Sequence, residues 1–262
     1  EHLLNRLPPE NARLREHLTL PPATLLFAVT CDGCAVHRLA LDPNSLRPQV
    51  GDPGPGRRLL HHRLLRHFHG RLLRPVAPLL RGRRWLHVVP HGPLHYVPFA
   101  ALRADDGRYL LDADGPALAL APSATILLRQ CLDRPPGRGE MRLAIGYNDE
   151  AEAALWHAEY EARRVARLTG GAAWTGPAPK AAALLAVGPR LRWLHVAGHA
   201  VFDPDRPLAS VVRLGRADEI SARAIIDGLA LDAALVTFST CTSGLSHVVP
   251  GDELFGVQRA LL

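Results

Sequence analysis

Apolar residues fall in two rhythms along this chain. Short continuous runs occupy 85–89, 143–145, 193–197 and 235–238. Such runs suit strands buried on both faces, as in a parallel sheet. Between them lie stretches at helical spacing. The stretch 155–168 has acids early (Glu152, Glu159) and bases late (Arg163, Arg164, Arg167), which complements the helix dipole. Residues 180–187 are rich in Ala and Leu and follow Pro177 and Pro179. Ser221 fits an N-cap for a helix that Gly228 ends. Strands alternating with helices predict an α/β fold, a doubly wound and mostly parallel sheet flanked by helices.

The amino-terminal part follows another pattern. Residues 25–30 and 35–41 read as a β-hairpin around Asp32-Gly33. The Pro- and Gly-rich stretch 44–57 reads as a loop. Residues 59–80 form a long basic amphipathic helix, with Leu64, Leu65, Phe68, Leu72, Leu73 and Val76 at helical spacing. His61, His62, His67 and His69 sit among its arginines as a solvated face. A short polar helix over 10–18 makes residues 1–20 a linker or the end of an upstream helical region. Residues 21–262 are then the main domain. Near the other end, Asp252 is set to cap a helix from Glu253 with Leu254, Val257 and Leu261 on one face. That pattern still runs at the last residue, so the domain is expected to be incomplete at its carboxyl end. No tandem repeat is read.

Composition narrows the function classes. Net charge is +6, and Lys180 is the only lysine; every other Lys/Arg position is arginine. Arg, Ala and Pro together point to a GC-rich coding sequence. The arginines are dispersed and aromatics are only 5%, which argues against direct nucleic-acid binding. No apolar run is long enough to span a membrane and no apolar leader opens the chain, so a cytoplasmic location is expected. Cys31 and Cys34 flank the hairpin turn rather than half of a zinc site. No phosphate-binding glycine motif follows a strand. No metal and no cofactor are expected.

Two of the apolar runs end in a reactive residue. One continues into Ala197-Gly198-His199-Ala200, the other into Ser239-Thr240-Cys241-Thr242. Sites in open α/β sheets form outside the carboxyl ends of strands. On neighbouring strands, about 4.8 Å apart, His199 and Cys241 would emerge side by side. A thiol is mostly protonated at neutral pH, and an adjacent imidazole can take its proton and later give one to a leaving amine. The backbone N–H groups of Ala200 and Cys241 are then placed to face an oxyanion. A lone Cys at a strand end is otherwise a small buried hydrophobe, and a lone His a structural one. The chemistry therefore depends on the two strands being neighbours.

Several segments in order resemble the CHAT family. They are 90–102 (Pro-His-Gly-Pro-Leu through Pro98-Phe99 to Leu102), Pro122-Ser123, Glu159-Tyr160-Glu161-Ala162, and 195–200 (His-Val-Ala-Gly-His-Ala). Phe202-Asp203, Pro207-Leu208-Ala209-Ser210, 238–244 and Gly251-Asp252-Glu253 complete the set. The resemblance implies a caspase-like fold and a cysteine endopeptidase acting on a protein or peptide substrate. It implies that His199 and Cys241 are catalytic and that His195 supports the site. It further implies a sensor module in the parent chain, such as tetratricopeptide repeats, upstream of this effector. Ala200 stands where the family has Gly, and Thr242 where it has Glu. The alternative that follows is a degenerate CHAT module serving as a scaffold. Asp252 and Glu253 either favour a basic residue before the scissile bond or belong to a helix N-terminus.

Overall fold

The computed structural model describes residues 14–20, 23–30, 33–39, 58–112, 115–132, 137–148, 155–203, 205–240, 247–249, 253–255 and 257–261. The chain divides into two compact units, Glu1–Arg134 and Pro135–Leu262.

The first unit is built on a five-stranded sheet of order β3-β2-β1-β4-β5. Its strands are β1 (Leu14–Leu20), β2 (Ala23–Thr30), β3 (Gly33–Leu39), β4 (Trp85–Val89) and β5 (Ala117–Leu120). The expected hairpin is present: β2 and β3 run antiparallel, with Thr30 opposite Gly33. Helix α1 (Arg58–Phe68) lies between β3 and β4 in sequence. It continues as a wider turn over His69–Leu73, a tight turn over Arg74–Val76 and a last helical turn at Ala77–Leu80. Pro75 lacks the N–H that would continue an α-helix, which accounts for the tight turn. The wide turn shifts the helical phase, so that consecutive Leu72 and Leu73 are both buried. They join Phe68, Leu86, Val88 and Phe99 in one apolar cluster.

Residues 14–20 are a strand, where a helix over 10–18 was expected. β1 pairs along its length with β2 and, in parallel, with β4. Those partners supply backbone hydrogen bonds that a short isolated helix has to make alone. The run 85–89 is likewise a strand, but it belongs to this sheet and not to that of the other three runs. The loop expected over 44–57 lies outside the described residues.

The second unit holds β6 (Met141–Gly146), α2 (Ala158–Thr169), β7 (Ala172–Trp174), α3 (Ala181–Val187) and β8 (Leu191–Gly198). Then come β9 (Ala200–Val201), β10 (Val211–Gly215), β11 (Asp218–Ser221), α4 (Ala222–Gly228) and β12 (Leu235–Thr240). β13 (His247–Val249), β14 (Glu253–Phe255) and α5 (Val257–Ala260) end it. Four strands make a parallel sheet of order β12-β8-β6-β7, flanked by helices, so the fold is α/β. A three-stranded antiparallel sheet, β11-β10-β9, accompanies it.

The two faces of the parallel sheet differ. On one, Leu143, Ile145, Leu194 and Val196 pack with Leu184 of α3, Val212 of β10 and Ile225 of α4. Full burial of each such side chain is worth about 1.5–3 kcal/mol. On the other, Ala144 meets Ala162 and Ala166 of α2. Small residues let α2 sit close: a Cβ at Gly146 would lie 2.5 Å from the Ala158 carbonyl oxygen. Gly170 ends α2 in the left-handed region, φ 67, its N–H turned back to the carbonyls of Ala166 and Arg167. Ser221 caps α4 as expected, its Oγ accepting the Ala224 N–H at 3.0 Å. The helix expected from Glu253 starts later: residues 253–255 pair with β13, and α5 begins at Val257. Among the described residues, no helix is long and apolar enough to cross a membrane.

Candidate functional site

β8 and β12 are parallel neighbours, in register from Leu235 opposite Trp193 to Thr240 opposite Gly198. His199 follows Gly198 directly, and Cys241 follows Thr240 directly. The pairing on which the dyad depends is therefore present up to the last residue before each. Cys241 itself lies outside the described residues, and so does Asp252. Of Glu253 only the backbone, in β14, is described.

His199 is half-buried. Its carbonyl accepts the Arg213 N–H of β10 at 2.9 Å. The next residue, Ala200, enters β9 and pairs with Val212. At 8% exposure its methyl belongs to the apolar cluster on the α3 and α4 face. On the other side, the Tyr147 N–H donates to the Ala197 carbonyl at 3.2 Å. The chain on each side of His199 is thus tied down by backbone bonds.

The loop after β9 is closed by Asp203. Its Oδ1 accepts the N–H groups of Asp205 and Arg206 at 3.0 and 2.9 Å. The Arg206 N–H, with that of Asp205 and the Arg206 guanidinium behind it, holds the Asp203 carboxyl below the usual carboxylate range. The Asp203 N–H in turn donates to Ser210 Oγ at 3.1 Å. Two of the sequence elements after His199 therefore fold its loop.

His195 sits two residues into the sheet from Ala197, clasped at both ring nitrogens. Nδ1 lies 2.7 Å from Thr237 Oγ1 on β12, and Nε2 lies 3.0 Å from Glu161 Oε1 on α2. The carboxylate only accepts, so Nε2 carries a proton and donates to Glu161, and Nδ1 is partnered by the Thr237 hydroxyl, which can donate or accept. A half-buried imidazole with both nitrogens satisfied costs little and is fixed in orientation. Sequence reasoning singled out His195 and quoted Glu161, yet did not join them. Thr237 was missed. The signal was there: Thr237 stands on the strand that Cys241 follows in sequence, and Ala144, Thr237 and His195 share one row of the sheet.

Among the described residues no group of three or more His, Cys, Asp or Glu is arranged to hold a metal ion. Cys34 is an exposed free thiol on β3, and its partner in the turn motif, Cys31, lies outside the described residues. A cleft of about 510 Å³ lies at the opposite, amino-terminal end of the parallel sheet, between Arg138–Met141 and Pro189–Arg190. It stands apart from the strand ends that carry His199.

A family model, that of the CHAT domain, matches residues 62–262. No curated protein matches the chain.

Proposed function

The chain belongs to the CHAT domain family, within the caspase-like cysteine-peptidase superfamily, and from that premise we propose that it is a cysteine endopeptidase whose catalytic pair is His199 and Cys241. The observation that carries this is the register of β8 and β12, with Thr240 opposite Gly198. Family membership supplies the chemistry, and the register supports these two residues as its bearers.

The proposed reaction runs in two halves. His199 takes the Cys241 proton, and the sulfur attacks the scissile carbonyl carbon. The C–S bond forms, the C–N bond breaks, and His199 protonates the departing amine. Water then adds to the thioester, giving its proton to His199, and the thiol leaves to regenerate Cys241. The backbone N–H groups of Cys241 and Ala200 are the proposed oxyanion donors. His195, held by Glu161 and Thr237, supports β8 beneath the pair.

A scaffold role for a degenerate module is the second reading, because Ala200 replaces the family's Gly. Burial of that methyl in the apolar cluster favours the peptidase, since the extra carbon packs into the core. Asp252 and Glu253 are proposed to favour a basic residue before the scissile bond. The helix-cap explanation weakens for them, because α5 begins only at Val257. A sensor or repeat module in the parent chain is the proposed regulator.

The test is labelling of the full chain with an electrophilic peptide probe, mapped by mass spectrometry. Labelling at Cys241 that is lost in Cys241→Ala and falls sharply in His199→Ala is the expected result. Absence of labelling in the wild type, with the regulator engaged, would leave the scaffold reading standing.

A further inference from the structure

Lys180, the chain's only lysine, is 5% exposed, whereas lysines are almost never fully buried without partners. Its ammonium has three, one for each donor. Nζ donates to the carbonyls of Gly176 at 2.6 Å, Ala178 at 2.8 Å and Leu214 at 2.7 Å. It also lies 5.8 Å from the centre of the Tyr147 ring. Burial pushes its pKa below the usual lysine value, and Asp218 and Glu159 offset part of that.

The loop that wraps this cation follows β7 at the carboxyl end of the parallel sheet, the end at which His199 emerges. It is docked on the β10–β11 hairpin at several points. Asp218 Oδ2 accepts the N–H groups of Lys180 and Ala181 at 2.6 and 3.1 Å. The Arg216 N–H donates to the Pro177 carbonyl at 3.0 Å. A Cβ at Gly215 would fall 2.6 Å from the Ala178 carbonyl oxygen, so loop and strand touch backbone to backbone. The hairpin turn holds Ala217 at φ 52, a left-handed conformation that L side chains rarely adopt.

β10 is also the strand that holds His199. Leu214 receives the ammonium, and its neighbour Arg213 gives its N–H to the His199 carbonyl. Tyr147, whose ring faces the ammonium, gives its own N–H to Ala197. The cation therefore stands behind the backbone attachments on both sides of His199. A methionine would fill the same space without burying a charge. What it would not do is gather three carbonyls that otherwise repel one another and go unpaired.

We infer that Lys180 is a positioning residue for His199, a tethered cation that locks the loop after β7 onto β10 and so fixes the strand whose Arg213 N–H holds the His199 carbonyl. Its catalytic consequence rests on the peptidase reading above; its effect on the His199 backbone does not.

The experiment compares wild type, Lys180→Met and Lys180→Arg in the full chain. Amide hydrogen exchange is read at Arg213, whose N–H is bound to His199. Protection there is expected to fall on the order of tenfold in Lys180→Met, while amides of β6 and β12 keep theirs. At saturating peptide probe, Cys241 labelling is expected to slow by about 100-fold with the half-saturating concentration unchanged, as misplacement of a reacting group predicts. Lys180→Arg, which keeps the charge in a planar fork, is expected to fall between. Should Lys180→Met not fold, Lys180→Arg decides by the same readings. Unchanged exchange at Arg213, or loss spread evenly over the unit, would overturn the inference. Wild-type chain that never labels at Cys241 would count against the peptidase reading alone, and exchange at Arg213 would still decide the role of Lys180.

Discussion

Two strands, one in each unit, carry the same four residues: Trp85-Leu86-His87-Val88 in β4 and Trp193-Leu194-His195-Val196 in β8. Each has a parallel neighbour on both sides, β1 and β5 for the first, β6 and β12 for the second. Both tryptophans are exposed; the leucines are 0% and 2% exposed and the valines 0% and 1%. A second histidine follows at the same offset, His91 and His199. The third positions then part. Opposite His87 stand Leu14 and Ala119, and its buried Nδ1 has no hydrogen-bond partner among the described residues. Opposite His195 stand Ala144 and Thr237, and Glu161 reaches it from α2. The local sequence decides strand, face and burial. What the imidazole can do is decided by residues 42 positions further on (Thr237) and 34 positions back (Glu161).

The comparison breaks hardest at the second histidine. His199→Ala is expected to lower Cys241 labelling by about 10²–10⁴-fold, the usual worth of a general acid–base. His91→Ala is expected to leave it unchanged, because the hydroxyl three residues beyond Leu120 on the neighbouring strand, Ser123, is engaged as a helix cap, accepting the Ile126 N–H at 3.2 Å. Equal losses would mean that the two ends are not chemically distinct. At the leucines the comparison should hold instead. Leu86→Ala and Leu194→Ala, equally buried, are each expected to cost about 2–5 kcal/mol in denaturant unfolding. A third change makes the second strand more like the first. Thr237→Val leaves His195 Nδ1 without its hydrogen-bond partner, at an expected cost of about 1–3 kcal/mol. A double change with Glu161→Gln should cost less than the sum, since both act on one ring.

How much of this was legible in the sequence follows from the same contrast. The strands at 85–89 and 193–197, and the polar tips after two of the runs, were readable from continuous apolar stretches bounded by small residues. So were the cap at Ser221 and the hairpin. The segment 14–20 was misread, because Leu14 and Leu18 fit a helical stripe as well as a strand face. Pairing with both β2 and β4 settled it. Glu253 was misread because an acid before an apolar stretch also occurs in a short hairpin. The clasp on His195 and the carbonyl cage of Lys180 were not legible at all. Each joins residues far apart in the chain, and no local spacing records which loop meets which strand. The shared Trp-Leu-His-Val went unread for a different reason: four residues are too few to register as a repeat, yet their matched burial makes the comparison informative.

The smallest expected effect concerns His87. Burial pushes its pKa below the usual histidine value of 6.5. The unfolded chain therefore takes up a proton at a higher pH than the folded one. Between those two values the unfolded state binds more protons, so stability rises with pH. The contribution is fully present above 6.5 and is lost as pH falls through the folded value. At neutral pH, His87→Leu is expected to change stability by under about 1 kcal/mol, because relief of the orphaned nitrogen is offset by loss of the ring stacked on Trp85. Under acid conditions the two should diverge, and the decline in thermal midpoint from about pH 7 to about pH 5 should be shallower in the variant. The same replacement at His195 removes a ring bonded at both nitrogens and should destabilise at either pH. If His87→Leu follows the wild-type acid limb, then an acid-sensitive group other than His87 sets it, and the contrast between the orphaned and the clasped histidine has no thermodynamic consequence.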